Sequence, residues 1–227
     1  MKICVIGTGY VGLVTGACFS DLGNSVVCID NNKTKIENLK KGVIPIYEPG
    51  LDEIVHRNTK ANRLSFTTDL GKSIRESEVI FIAVGTPQSA SGEADISAVK
   101  AVAEQIGKNL NNYKVISTKS TVPIGTGKLI QKIIDQNNLD KIKYDYCSNP
   151  EFLREGAAVR DFLHPDRVVL GATSGKAFEY LKDVYRPLYI NETPMVHTTV
   201  ETAEMIKYAA NAFLAIKISY INEVANL

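Results

Sequence analysis

Short apolar runs separated by longer amphipathic stretches set the rhythm of this chain. Strand-like runs occur at Lys2–Ile6, Val26–Ile29, Val79–Val84, Val115–Thr118, Tyr144–Cys147 and Arg167–Leu170. Between most of them apolar residues recur at helical spacing, over Val11–Leu22, Lys33–Lys40, Ser97–Leu110 and Thr126–Asn137. Strands that alternate with helices predict an α/β fold, a doubly wound and mostly parallel sheet covered on both faces and joined by right-handed crossovers. Ligands of such sheets bind at the carboxyl ends of the strands. Chemistry is therefore expected in the polar turns Gly7–Gly12, Gly85-Thr86-Pro87, Ser120–Pro123 and Ser148–Glu151. From Glu201 to Leu227 the pattern becomes one helix without glycine or proline, and it stops without a C-cap signal. That predicts a main domain over residues 1–200 and, over 201–227, the start of a long helix in a truncated chain.

The first strand runs into Gly7-Thr8-Gly9-Tyr10-Val11-Gly12, and the second ends at Asp30. This is G-x-G-x-x-G between a strand and a helix, with an acid at the next strand tip. Gly7 permits the tight turn, Gly9 lets a pyrophosphate approach the backbone, and Gly12 lets helix and strand pack closely. The helix N-terminus offers free N–H groups and partial positive charge to the diphosphate. Asp30 would accept hydrogen bonds from both ribose hydroxyls and repel a 2′-phosphate, favouring NAD over NADP. Glycines also mark ordinary turns, but here strand, helix and an acid at about the expected ~20-residue spacing all agree.

Composition narrows the function classes. The 227 residues are 44% hydrophobic and 22% charged, enough for a packed core and a soluble surface. A net charge of +1 predicts no general attraction to nucleic acid or to anionic membranes. The apolar runs are far shorter than the ~20 residues of a membrane span, and no leader precedes the first strand, so a cytoplasmic protein is expected. Cys4, Cys18, Cys28 and Cys147 are scattered, with no C-x-x-C and no histidine cluster beside them, which argues against zinc and against a disulfide framework. His56, His164 and His197 are dispersed and read as surface or loop residues.

Three further segments could carry chemistry, each with a plainer alternative. Ser120 and Thr121 could lie near a nicotinamide, or could cap the helix that starts near Thr126. Asn149 and Pro150 read as N-cap and first residue of a helix, on which Glu151 and Glu155 share a face. That pair could be a general base with an orienting acid, or could serve only a positive helix end. Lys207 and Asn211 share a face of an otherwise apolar helix. A lysine there could stabilise negative charge on oxygen, or could simply extend its ammonium to water. Asp161 and Asp166 with Arg167 bracket a proline turn and read as a structural ion pair.

Six blocks occur in an order that resembles a known family. They are Gly7–Gly12, Pro45-Ile46-Tyr47-Glu48-Pro49-Gly50-Leu51, Gly85-Thr86-Pro87, Ser120–Thr126, Asn149–Gly156 and Glu204–Phe213. Over essentially the whole chain they are similar to the UDP-glucose 6-dehydrogenases. Enzymes acting on GDP-mannose or UDP-N-acetylmannosamine share the first block and the Lys/Asn helix, but Asn149–Gly156 followed by Pro165-Asp166-Arg167-Val168 looks most like the UDP-glucose branch. The resemblance implies a Rossmann-like domain and a two-step, four-electron oxidation of the glucosyl C6 alcohol to a carboxylate, consuming two NAD. By position, Tyr10, Val11, Asp30, Lys35, Thr86, Thr121 and Glu155 would contact NAD beside the three glycines. Glu151, Phe152, Leu153, Arg154, Glu155, Lys207 and Asn211 would line the sugar-nucleotide site. Glu151 would be the general base of a closing hydrolysis, Thr121 would position water, and Lys207 with Asn211 would stabilise oxyanions. The family's nucleophilic cysteine belongs to a glycine-rich motif that this chain does not contain, and Cys147 does not match it. The chain alone is thus expected to bind NAD but to form little UDP-glucuronate. The family further implies a homodimer through the last helix. A module that senses NAD without chemistry would need only the first block, leaving the later ones unexplained.

Overall fold

The computed structural model describes residues 1–227, the side chain of Asn191 apart. In chain order the elements are β1 (Lys2–Ile6), α1 (Tyr10–Asp21), β2 (Ser25–Ile29), α2 (Lys33–Lys40), α3 (Leu51–Lys60), β3 (Leu64–Thr67), α4 (Leu70–Glu76), β4 (Val79–Ile82), α5 (Ser97–Asn109) and β5 (Lys114–Thr118). There follow α6 (Thr126–Asn137), β6 (Tyr144–Ser148), α7 (Ala158–Leu163), β7 (Val168–Ala172), α8 (Gly175–Val184), a 3₁₀ turn at Arg186–Asn191, β8 (Met195–Thr198) and α9 (Val200–Ala225). One sheet carries the strands in the order β3-β2-β1-β4-β5-β6-β7-β8. The chain leaves β1 in one direction and resumes beside it with β4, so the strand order reverses between these two neighbours.

Side chains alternate across the sheet and sort the core into two layers. Ile3 and Val5 of β1 belong to one apolar cluster with α1, α3, α7 and α8, whereas Cys4 and Ile6 belong to the other with α4, α5 and α6. β4 and β5 are buried along their whole length. That two-sided burial is why the apolar run of β4 is continuous rather than alternating. Phe19 anchors the first layer, with ring centroids 4.8 Å from Phe81 and 5.1 Å from both Phe162 and Tyr185.

Two features depart from the sequence reading. β7 is antiparallel to β6, with Cys147 opposite Ala172 and Ser148 opposite Gly171, and β8 then runs parallel to β7. Strand direction leaves no trace in apolar spacing, so hydropathy could not reveal the reversal. The second departure is at Asn149-Pro150, where no helix begins; the segment has no regular structure, turns over residues 155–157, and α7 starts only at Ala158. The other elements expected from the sequence shift by two residues at most, whereas β3, β8, α3, α4 and α8 are not among them. β1, α2 and α6 have the expected bounds, α1 begins at Tyr10, and β4 stops at Ile82 as the chain enters a turn.

Phe19 is fully buried at the meeting of three aromatic neighbours. Phe19→Ala should therefore destabilise the fold by about 3–5 kcal/mol, seen as a lower urea midpoint with an unchanged denaturant slope.

Candidate active site

The turn after β1 assigns its glycines different tasks. Gly7 has φ +104°, and a Cβ there would stand 2.4 Å from the Ala83 carbonyl oxygen of the neighbouring chain turn. A Cβ on Gly12 would stand 2.0 Å from the Gly7 carbonyl oxygen. These two are required by the fold itself. Gly9 is different, since a Cβ on it would meet nothing within 4 Å. Its open side faces whatever binds the turn. Gly9 is also the N-cap of α1, with no side-chain cap and no acid in the helix's first turn. The helix end is thus left with uncompensated N–H groups and partial positive charge, the environment a diphosphate requires.

Asp30 closes the same crevice from the end of β2. Its carboxylate accepts from the Thr8 amide at 3.1 Å, the Thr8 hydroxyl at 2.6 Å, the Asn32 amide at 3.0 Å and the Lys35 ammonium at 3.2 Å. Burial opposes its ionisation, but the bonds from Thr8 and Asn32 and the Lys35 charge outweigh burial and hold the carboxyl below its usual range. A permanent anion therefore stands beside the glycine turn. On the far side of the strand-order reversal, the Thr86 hydroxyl donates to the Thr121 carbonyl at 2.8 Å, tying the loops after β4 and β5 together. Glycine turn, open helix end and fixed anion fit a dinucleotide.

A second cavity of about 720 Å³ opens beyond the carboxyl end of β6. Glu151, Phe152, Leu153, Arg154, Lys207 and Asn211 all line it. Register explains how α9 reaches this point. Thr198 lies beside Gly171, which lies opposite Ser148, so α9 starts level with the end of β6. One face of α9 then carries Glu204 and Lys207 a turn apart. The Glu204 carboxylate accepts from the Gly125 amide at 2.6 Å and the Gly127 amide at 2.7 Å, docking α9 on the start of α6. Lys207 in turn reaches Glu151 at 2.9 Å, and both side chains are about nine-tenths buried. The Arg167 guanidinium lies 4.0 Å from the Phe152 ring centroid and the Lys207 ammonium 5.4 Å.

Several expectations are corrected here. Glu151 and Glu155 do not share a helix face: Glu151 pairs with Lys207, whereas Glu155 is exposed and its charge acts on Tyr10. Asn149 is no helix cap, because its side chain is committed elsewhere. It accepts from the Tyr185 hydroxyl at 2.6 Å and the Lys119 ammonium at 3.3 Å, and donates to the Val169 carbonyl at 2.9 Å. The hydroxyls of Ser120 and Thr121 do not cap α6, whose N-cap is Gly125 and whose first amides are taken by Glu204. Ser120 instead donates to the Val84 carbonyl at 2.7 Å. Asp161 pairs with Arg154 at 2.6 Å rather than with Arg167. The histidines stand as expected, since His56, His164 and His197 are all exposed; His164 also borders the cavity, and His197 stacks on Phe178 with centroids 4.2 Å apart. Cys147 lies buried beneath the site, and burial pushes its thiol up.

Sequence reasoning missed Lys119. It is 3% exposed, lines the same cavity, and its ammonium is also held by the Tyr185 hydroxyl at 3.1 Å. Burial pulls its pKa down to about 8, with the Glu151 charge opposing and the Lys207 charge reinforcing that shift. A lysine at the polar end of an apolar strand was the available signal.

Such a crevice at a strand-order reversal, with its glycine turn and its acid, belongs to the dinucleotide-binding domains of the Rossmann type. Comparison with known proteins narrows this further. Residues 1–189 match the NAD-binding domain of the UDP-glucose/GDP-mannose dehydrogenase family and residues 201–227 match its central domain, so the chain belongs to that family. It is 55% identical over 226 residues to the UDP-glucose 6-dehydrogenase TuaD of Bacillus subtilis, covering 100% of this chain and 48% of that protein. A UDP-glucose dehydrogenase structure from Pyrobaculum islandicum superposes with TM-score 0.94 at 40% identity, covering 98% of this chain and 52% of the other. A GDP-mannose dehydrogenase from Pseudomonas aeruginosa gives TM-score 0.93 at 35% identity, with coverage of 98% and 52%. The chain thus spans about half the length of the relatives it matches.

The depressed pKa of Lys119 carries a sign. Between pH 8 and pH 10.5 the unfolded chain holds this proton more tightly than the folded one, so folding gains from rising pH in that window. The stability difference between wild type and Lys119→Met should therefore move toward the wild type as pH rises from 8 to 10, by up to about 1.4 kcal/mol per pH unit, as read from paired urea titrations.

Proposed function

We propose that this chain is the cofactor-binding half of an NAD-dependent UDP-glucose 6-dehydrogenase, a protein of the cytoplasm that oxidises the glucosyl C6 alcohol to a carboxylate in two steps. The observation that carries the reading is the buried Lys207–Glu151 pair at 2.9 Å in a cavity whose Arg154 carbonyl meets the Tyr10 hydroxyl of the glycine turn. A buried ion pair is costly to desolvate and is weak evidence of a stabilising role. In a cavity able to take a ligand it is better explained as chemistry held in readiness.

Residues 1–200 hold NAD in this reading and residues 201–227 begin the central helix. The backbone of Gly7, Gly9, Tyr10, Val11 and Gly12 takes the diphosphate, Asp30 takes the ribose hydroxyls, and Lys35, Thr86, Thr121 and Glu155 complete the contact. When bound, NAD supplies the hydride acceptor. Phe152, Leu153, Arg154 and Glu155 with Asn211 hold the sugar nucleotide. Lys207 is released from Glu151 as substrate enters, and its ammonium stabilises negative charge developing on the C6 oxygen, with Asn211 as second donor. A second oxidation, of the thiohemiacetal formed with a cysteine outside this chain, leaves a thioester. Glu151, freed of its partner, accepts the proton of the water that cleaves this thioester, the thiolate leaves, and Thr121 orients that water. Thr121 stands outside the cavity lining, and its carbonyl accepts from the Thr86 hydroxyl.

The 55% identity to TuaD supports UDP-glucose over other sugar nucleotides. Similarity of fold is neutral on this point, with TM-scores of 0.94 and 0.93 for relatives titled for UDP-glucose and for GDP-mannose. The exposed apolar residues Phe213, Ile216, Tyr220 and Ile221 on α9 support a homodimer through this helix in the full-length protein.

Calorimetry should detect NAD binding to the chain and much weaker binding of NADP. Asp30→Ser should erase that preference, because it removes the anion that repels a 2′-phosphate; a preference unchanged by the substitution would refute the role of Asp30. Incubated with UDP-glucose and NAD, the isolated chain should form little or no UDP-glucuronate. Robust acid formation would refute the division of labour proposed here.

A further inference from the structure

Glu48 has no part in the mechanism above, yet it is 4% exposed and every bond its carboxylate makes is to a residue distant in the chain. It lies in the Pro45–Leu51 segment, held by the Leu51 amide bonded to its own carbonyl at 3.1 Å and by Ile44 and Ile46 packed on the first core layer. One carboxylate oxygen takes the Tyr10 hydroxyl and the Gly156 amide, the latter at 2.9 Å. The other takes the Ala158 amide at 2.7 Å. The Tyr10 hydroxyl also stands 3.3 Å from the Arg154 carbonyl oxygen. Burial and the bond to Glu48 push the Tyr10 phenol up, so it remains a donor.

Tyr10 is the first residue of α1, at the helix end that receives the diphosphate. Gly156 and Ala158 close the segment that carries Glu151 and Glu155. We propose that Glu48 is a positioning residue which, with Tyr10, forms a strut between the cofactor turn and the Arg154–Ala158 segment, so that seating NAD orders the loop of the sugar-nucleotide site. A cap for α7 would need only the amide bonds. The bond to Tyr10 is surplus to that purpose and joins the two sites. Coupling of this kind is reciprocal: whatever orders the loop also favours the cofactor. The inference rests on the reading of Gly7–Gly12 as the seat of NAD.

Amide hydrogen exchange on the 227-residue chain tests the strut, without and with saturating NAD, with calorimetry on the same samples to register binding. In the wild type, NAD should slow exchange at Gly156 and Ala158 by about fivefold or more. Tyr10→Phe keeps both amide bonds to Glu48, so protection without NAD should match the wild type while the slowing by NAD disappears. Glu48→Gln should lose both. Binding heat in the wild type with no change at Gly156 and Ala158 overturns the strut alone, as does slowing that survives in Tyr10→Phe. No binding heat in the wild type overturns the NAD reading and the strut with it.

Discussion

Parallel pairing is the constraint on which the rest depends. Because β1, β2, β4, β5 and β6 all point the same way, every chain turn that leaves them does so at one edge of the sheet. Backbone groups there are no longer paired in the ladder and must find partners among side chains, helix ends or ligands. The glycine turn, Asp30, Thr86, Ser120, Asn149 and Glu151 are all residues of that edge. β7 departs from the rule with a purpose visible in the register: being antiparallel, it is entered from the same edge, which delivers Arg167 to the Phe152 ring.

Carboxylates do most of the fastening between these turns. Glu204 holds α9 to the start of α6, Asp161 holds Arg154, and Glu48 holds the 154–158 segment to the glycine turn through Tyr10. All three accept from backbone amides, and Asp161 and Glu48 accept from side chains as well. A charged acceptor on two or three donors makes stronger and shorter bonds than a neutral one. The loops of the site are therefore not free ends of a rigid sheet, but are tied to it at several points.

What could be read in the sequence was whatever depends on neighbours in the chain. α2 begins where expected because Asn32 caps it locally, accepting from the Lys35 amide. The turn at Gly7–Gly12 was legible because it is built by residues adjacent in sequence. Asn149-Pro150 misled for the same reason: the dipeptide has the form of a helix start, but distant Tyr185, Lys119 and Val169 claim the Asn149 side chain. Glu48 and Glu204 stood inside recognisable blocks without any visible task, since donors to Glu48 lie 38 and 108 residues away and one to Glu204 lies 79 away. β3 and β8 are four-residue strands with polar members, too short to rise above the pattern of their surroundings.

The burial of Cys4, Cys18, Cys28 and Cys147 has a practical side. In each, burial raises the thiol pKa, leaving scarcely any thiolate near neutrality and none within reach of a reagent. The folded chain thus presents a chemically silent background for sulfur. A single cysteine placed on its surface, on the outer side of α9 for example, would be the sole target of an alkylating dye or spin label, and would report on that helix without removing any native side chain from the core.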